Sequence, residues 1–119
     1  MADKWTALHT FFNEFGITAY DENTVPESAE MPYITYEAQT ASLGEALLLS
    51  ASIWYRSNSW ADISLKAEEI SEAIGGGYGV PYDDGRLWIT KSATFATRMN
   101  EPSDEQIRRI VLQITAEFQ

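Results

Sequence analysis

"LLSASIWYRSNSWADISLKAEEISEAI", residues 48–74, decides the fold, because its hydrophobic period changes once along its length. In the first half Leu49, Ala51, Ile53 and Tyr55 alternate with Ser50, Ser52, Trp54 and Arg56. A period of two places the two sets on opposite faces of a strand. After the polar link "SNS" the apolar residues recur at Ile63, Ala67, Ile70 and Ile74, the spacing of one face of a helix. Lys66, Glu68, Glu69 and Glu72 fall mostly on the solvated side. Ser59 precedes Trp60, and Asp62 follows three residues after Ser59, an approximate capping box with Asp in the usual Glu place. The helix is expected to stop at Ile74, where Gly75, Gly76 and Gly77 begin.

Upstream, "MPYITYEAQ" predicts a strand over 32–39, with Ile34, Tyr36 and Ala38 alternating against Tyr33, Thr35 and Glu37. "TASLGEALL" supplies a turn with Gly44 as its pivot, so these two strands form an antiparallel hairpin. The stretch 21–32, "DENTVPESAEMP", is polar, holds two prolines and predicts a loop. Residues 3–15 predict an amphipathic helix, with Asp3 as N-cap, Trp5, Leu8, Phe12 and Phe15 on one face, and Gly16 as terminator. Downstream, "RLWITKSATFATRM" predicts a third strand, residues 86–98, with Leu87, Ile89, Ala93 and Phe95 in register and Lys91 breaking it, so that a bulge or an exposed end falls there. "NEPSDEQ" is a loop. "IRRIVLQITAEF" alternates throughout, with Ile110, Leu112, Ile114, Ala116 and Phe118 against Arg109, Gln113, Thr115 and Glu117. The expected class is α+β: one domain over 1–119 in the order αββαββ, a mostly antiparallel four-stranded sheet with helices packed on one face.

Eighteen acidic residues against eight basic ones give a formal charge of −10, which repels phosphate backbones and argues against specific nucleic-acid binding. The absence of cysteine removes disulfides and thiolate metal sites. No run of 18 apolar residues predicts a membrane helix, and "MADKWTALHTFF" lacks the features of a signal peptide.

The glycine cluster in "IGGGYGVPYDDGRLWI", residues 74–89, invites a phosphate-loop reading. A phosphate loop or dinucleotide turn needs its glycines to open a helix, so that free N–H groups face the anion. Here they follow one, no lysine comes after them, and Asp83 and Asp84 add repulsion. The reading is a helix end followed by a mobile turn, with "DDG" a further turn before a strand. His9, the only histidine, lies at the edge of the apolar helix face and has no second His or Cys with which to hold a metal. Glu68, Glu69 and Glu72 read as a solvated helix face. Arg108 and Arg109 point to opposite sides of a strand and cannot clamp one phosphate together. No catalytic, cofactor-binding or metal residues are expected, and no enzyme activity. What remains is an apolar surplus. Trp54 and Trp88 lie on the strand face opposite the core register: either helices and loops cover both faces, or these aromatics meet a partner chain.

"PYITYEA", followed by "SIWYRSNSWADISLKAEEISEAI" and closed by "NEPSDEQ" and "IRRIVLQITAEF", resembles the tail terminator (tail completion) proteins of long-tailed bacteriophages over roughly residues 31–118. The glycine cluster departs from that pattern. The resemblance implies an αββαββ fold and a ring, usually hexameric, that caps the tail tube, stops its polymerisation and presents the head-joining surface. It implies as partners further copies of the chain, the tail tube protein and a head-completion protein, with DNA only passing through the lumen and no membrane contact. It places the protein in the virion, at the head-proximal end of the tail, after assembly in the host cytoplasm. Six copies would carry 6 × −10 = −60 formal charges, and the expectation is that part of this lines the lumen. The residues expected at subunit or tail contacts are Leu47, Leu48, Trp54, Tyr55, Arg56 and Trp88. The alternatives are a head-completion or connector subunit, and a small-ligand-binding domain using the 75–85 loop.

Overall fold

The computed structural model describes residues 4–39, 47–82, 85–99 and 104–118. The chain begins with helix α1 (Lys4–Phe12), continued by a 3₁₀ turn (Asn13–Phe15) that ends at Gly16 in the left-handed conformation. Strand β1 (Thr18–Asp21) and a second 3₁₀ turn (Glu22–Thr24) follow, then β2 (Tyr33–Gln39) and β3 (Leu47–Arg56). Helix α2 (Ala61–Ile74) leads to β4 (Tyr78–Tyr82), β5 (Gly85–Met99) and β6 (Ile107–Phe118). The six strands form one sheet in the order β1-β2-β3-β6-β5-β4. All neighbours are antiparallel except β1 and β2, which are parallel.

The fold is thus α+β, with two helices and six strands where four were expected, in the order α1-β1-β2-β3-α2-β4-β5-β6. Both additional strands are edges. β1 has four residues, of which only Ala19 is buried, too short to show an alternation. β4 contains Gly79 and Pro81, which read as loop, yet Pro is tolerated on an edge strand because its missing N–H faces no partner. The loop expected over 21–32 therefore starts one residue late, after Asp21, and the turn expected after Ile74 gives way to strand at Tyr78. Asp3, the hairpin tip with Gly44, and the Asp83–Asp84 turn lie outside the described residues.

The expected alternations are observed among the described side chains except at Ala93, while the side chains of Trp5, Ala38 and Phe118 lie outside the described residues. Ile34, Leu49, Ala51, Ile53, Ile110, Leu112, Ile114, Leu87 and Ile89 are buried on one face, against Leu8, Phe11 and Phe12 of α1 and Ile63, Ile70 and Ile74 of α2. Phe12 stacks on Tyr36 with ring centroids 4.7 Å apart, and Phe11 packs edge-on to Phe15 at 5.3 Å. Lys66 ties the two helices together: its ammonium donates to the Phe15 carbonyl at 2.6 Å and pairs with Glu69 at 3.1 Å. At the start of α2, Ser59 Oγ accepts from Ala61 N–H at 3.0 Å, so the capping serine acts one position earlier than the helix boundary implied. The register of β5 on β6 shifts between Lys91 and Ala96: between the paired positions β5 has four residues, 92–95, where β6 has one, Gln113. This is the break expected at Lys91. It also corrects Ala93, which the extra residues turn out of the core register into solvent.

Candidate functional site on the open sheet face

Both helices pack on the same side of the sheet, and among the described residues no helix covers the other side. That open face is organised in cross-strand rows. Tyr33 pairs with Trp54, Trp54 with Arg109, and Arg109 with Met99, one row across four strands. The Arg109 guanidinium sits 4.7 Å from the Trp54 ring centroid, and Tyr33 lies 6.4 Å from it on the other side. Tyr20 of β1 meets Tyr33 edge-on at 5.7 Å. The row is thus an aromatic plate ended by a cation, the arrangement in which an arginine gains from the negative ring face.

Two buried hydroxyls hold the plate in place. Trp54 Nε1–H donates to Thr35 Oγ1 at 2.9 Å, and Arg109 Nε–H donates to Ser52 Oγ at 3.0 Å. Thr35 and Ser52 are only 4% and 3% exposed although they lie on the open face, because the indole and guanidinium roof them. The alternation in sequence puts Trp54 and Arg109 on this face. Their meeting depends on the β3–β6 register, which only long-range pairing supplies. At the β1 end of the face the Glu22 carboxyl is raised above the ordinary carboxylate range. The main cause is a hydrogen bond with Glu37, then burial and the Glu37 charge, with Arg109 partly opposing.

The other expected contact residues do not join this plate. Trp88 is on the same face but pairs with Glu117, eight positions along β6 from Arg109, roughly 27 Å at the rise of an antiparallel strand. Its indole lies over Gly77, where a Cβ would fall 1.9 Å from Trp88 Cζ2, and Arg86 stacks on it at 4.9 Å. The glycine at 77 is therefore needed by packing against Trp88. Leu48 is also on the open face, 65% exposed and level with Thr115. Tyr55 faces the helices, against the core, where burial and then the charges of Asp62 and Glu69 raise its phenol. Arg56 is exposed and pairs with Asp104 at 2.8 Å. Leu47 begins β3. Arg108 and Arg109 lie on opposite faces as expected: Arg108 donates to the carbonyls of Glu105 and Asn58 and stacks on Trp60 at 5.4 Å. His9 Nδ1 is 2.8 Å from the Tyr36 hydroxyl. Among the described residues no group of three His, Cys, Asp or Glu is placed to hold a metal ion.

No family model and no curated protein matches the chain. Among solved structures, a chain from one described as the virion of a native gene transfer agent (GTA) particle is similar. The two share 21% sequence identity with a TM-score of 0.61, and the alignment covers 98% of this chain and 86% of that one. At that identity the likeness shows the fold, from end to end.

Proposed function

We propose that this chain is a structural protein of a phage-like virion and acts as a tail terminator. Copies close into a ring, hexameric in this reading, on the last ring of tail-tube subunits. The ring stops tube growth and offers the head-joining surface. The observation that carries the reading is the likeness, over 98% of the chain, to a chain of a gene transfer agent virion. The fold is also suited to function by contact. Its helices occupy one side, leaving an aromatic and arginine plate that is half-buried within the single chain. In this reading the protein makes and breaks no bonds, its partners are its own copies, the tube protein and a head-completion protein, and DNA passes through the lumen.

The test is electron microscopy of tail tubes assembled from purified tube protein with and without this chain. Capped tubes whose growth has stopped at one end are expected. Unchanged tube ends and lengths would remove the terminator reading, and a connector subunit of the head predicts that unchanged outcome.

A further inference from the structure

The residue rows of the sheet run level from edge to edge. Thr18 aligns through Tyr33, Trp54 and Arg109 with Met99; Asp21 aligns through Tyr36, Ala51 and Leu112 with Ala96. Thr18–Asp21 is the whole of β1, whose outer edge pairs with no strand among the described residues. Ala96–Met99 is the far end of the stretch Thr90–Met99 of β5 that β4 leaves uncovered, since β4 pairs only with Gly85–Ile89. The four-residue edge of β1 and the last four residues of the longer open edge of β5 therefore lie at the same height on opposite sides of one sheet.

Their charges are opposite. Residues 17–30, around β1, hold Asp21, Glu22, Glu27 and Glu30 and no basic residue. Residues 85–99 hold Arg86, Lys91 and Arg98 and no acidic residue, in a chain of net charge −10. β1 runs antiparallel to β5, because β1 is parallel to β2 and β2, β3, β6 and β5 alternate in direction.

From these observations we infer that copies of this chain join edge to edge, β1 of one copy adding antiparallel to Ala96–Met99 of the next. The inference deepens the ring reading and rests on it. In the level register Thr18 faces Met99 and Asp21 faces Ala96, and Asp21 and Arg98 become diagonal neighbours on the helix side, within reach of a long side chain. A copy added without axial displacement does not climb as a filament, and such a head-to-tail contact closes into a ring when its rotation divides a full turn. Two outward groups of β1 are already occupied: Ala19 N–H donates to Asn13 Oδ1 at 3.0 Å and the Asp21 carbonyl accepts from Thr24 Oγ1 at 3.3 Å, and pairing exchanges these side-chain partners for strand groups.

Disulfide trapping tests this, and the chain has no cysteine of its own. Opposed residues of an antiparallel pair stand about 4.5–5.5 Å apart at Cα, inside disulfide range. A chain carrying both Thr18→Cys and Met99→Cys, oxidised at low salt, is expected to give a ladder of linked oligomers that collapses on reduction. An equimolar mixture of the two single variants is expected to stop at the mixed dimer. Arg98→Glu in the double-cysteine chain is expected to slow the ladder several-fold at low salt. That difference should shrink near 1 M salt, where screening acts within about 3 Å. Equal ladders from a Thr18→Cys, Leu48→Cys control would overturn the inference, because exposed Leu48 lies on β3, flanked by β2 and β6 and away from either edge. No ladder in a sample that sediments as an oligomer overturns the edge pairing alone. No ladder in a sample that stays monomeric overturns the edge pairing and counts against self-assembly into a ring as well.

Discussion

Gly77→Ala is the substitution whose cost can be worked from the structure in most detail. Gly77 has φ +154°, which side-chain-bearing residues rarely adopt, and its added Cβ would fall 1.9 Å from Trp88 Cζ2 and 2.6 Å from two more indole atoms. Two costs follow. The backbone strain is of order 1–3 kcal/mol. Moving a rigid indole off its seat costs about 1–2 kcal/mol, including its cation contact with Arg86, worth about 0.5–1 kcal/mol at a half-open site. The sum is about 3 kcal/mol. With a urea m-value of about 1.5 kcal/mol/M, the unfolding midpoint should fall by about 2 M. The two costs separate in a double-mutant cycle, followed by far-ultraviolet circular dichroism so that loss of a tryptophan does not disturb the signal. In a Trp88→Ala background only the strain survives, so Gly77→Ala should cost about 1–2 kcal/mol less there. A midpoint shift below about 0.3 M, or the same cost in both backgrounds, would show that the indole does not rest on Gly77.

Three further outcomes follow from particular contacts. Trp54→Phe removes the indole donor from buried Thr35 and should cost about 1–2 kcal/mol in urea unfolding, and adding Thr35→Val should recover most of it, because both polar partners are then gone. Ile53, fully buried on a central strand between Ile34 and Ile110, should lose about 2–5 kcal/mol on truncation to Ala, read by thermal unfolding. The Tyr78 hydroxyl donates to the Glu14 carboxylate, and this bond, followed by burial and the Glu14 charge, pushes the phenol up to about 12 from an ordinary value of 10. A phenol raised by folding stabilises the fold while protonated. Its contribution is therefore complete below pH 10 and is lost as pH rises through 12. Ultraviolet titration of tyrosinate should show a late-ionising group that disappears in Tyr78→Phe and moves down in Glu14→Gln.

How much of this was legible in the sequence depended on whether the governing contacts were local. The β2–β3 hairpin, α2 and β6 carry their periods over seven or more residues, and each formed where its period placed it. The two missed strands lack that signal, since β1 shows one buried residue in four and β4 alternates Tyr78, Val80 and Tyr82 around a glycine and a proline. The candidate site was half legible. Alternation sent Trp54 and Arg109 to the face opposite the core, but neither their contact nor the roofed pair Thr35 and Ser52 has a sequence signal, because each depends on how β2, β3 and β6 are aligned. The same missing register made Trp54 and Trp88 look like one patch, when the sheet sets them at opposite ends.

An open sheet edge is a hazard as well as an opportunity, and the way these edges are protected bears on what they can join. Exposed edges are commonly blunted by shortness, proline, bulges or charge. β4 carries Pro81, β1 is only four residues long and ends at Asp21, and β5 has the irregularity at residues 92–95 together with Lys91 and Arg98. Proline and bulges repel every partner alike, but charge does not. Two β1 edges brought together set Asp21 and Glu22 against their own kind, and two β5 edges set Lys91 and Arg98 against theirs, so both two-fold pairings are opposed by repulsion. Only the unlike pairing is attractive. In the edge-to-edge inference, charges that protect the free chain from indiscriminate pairing would also select a head-to-tail contact over a symmetric dimer, since specificity needs a penalty on the wrong pair as well as a gain on the right one.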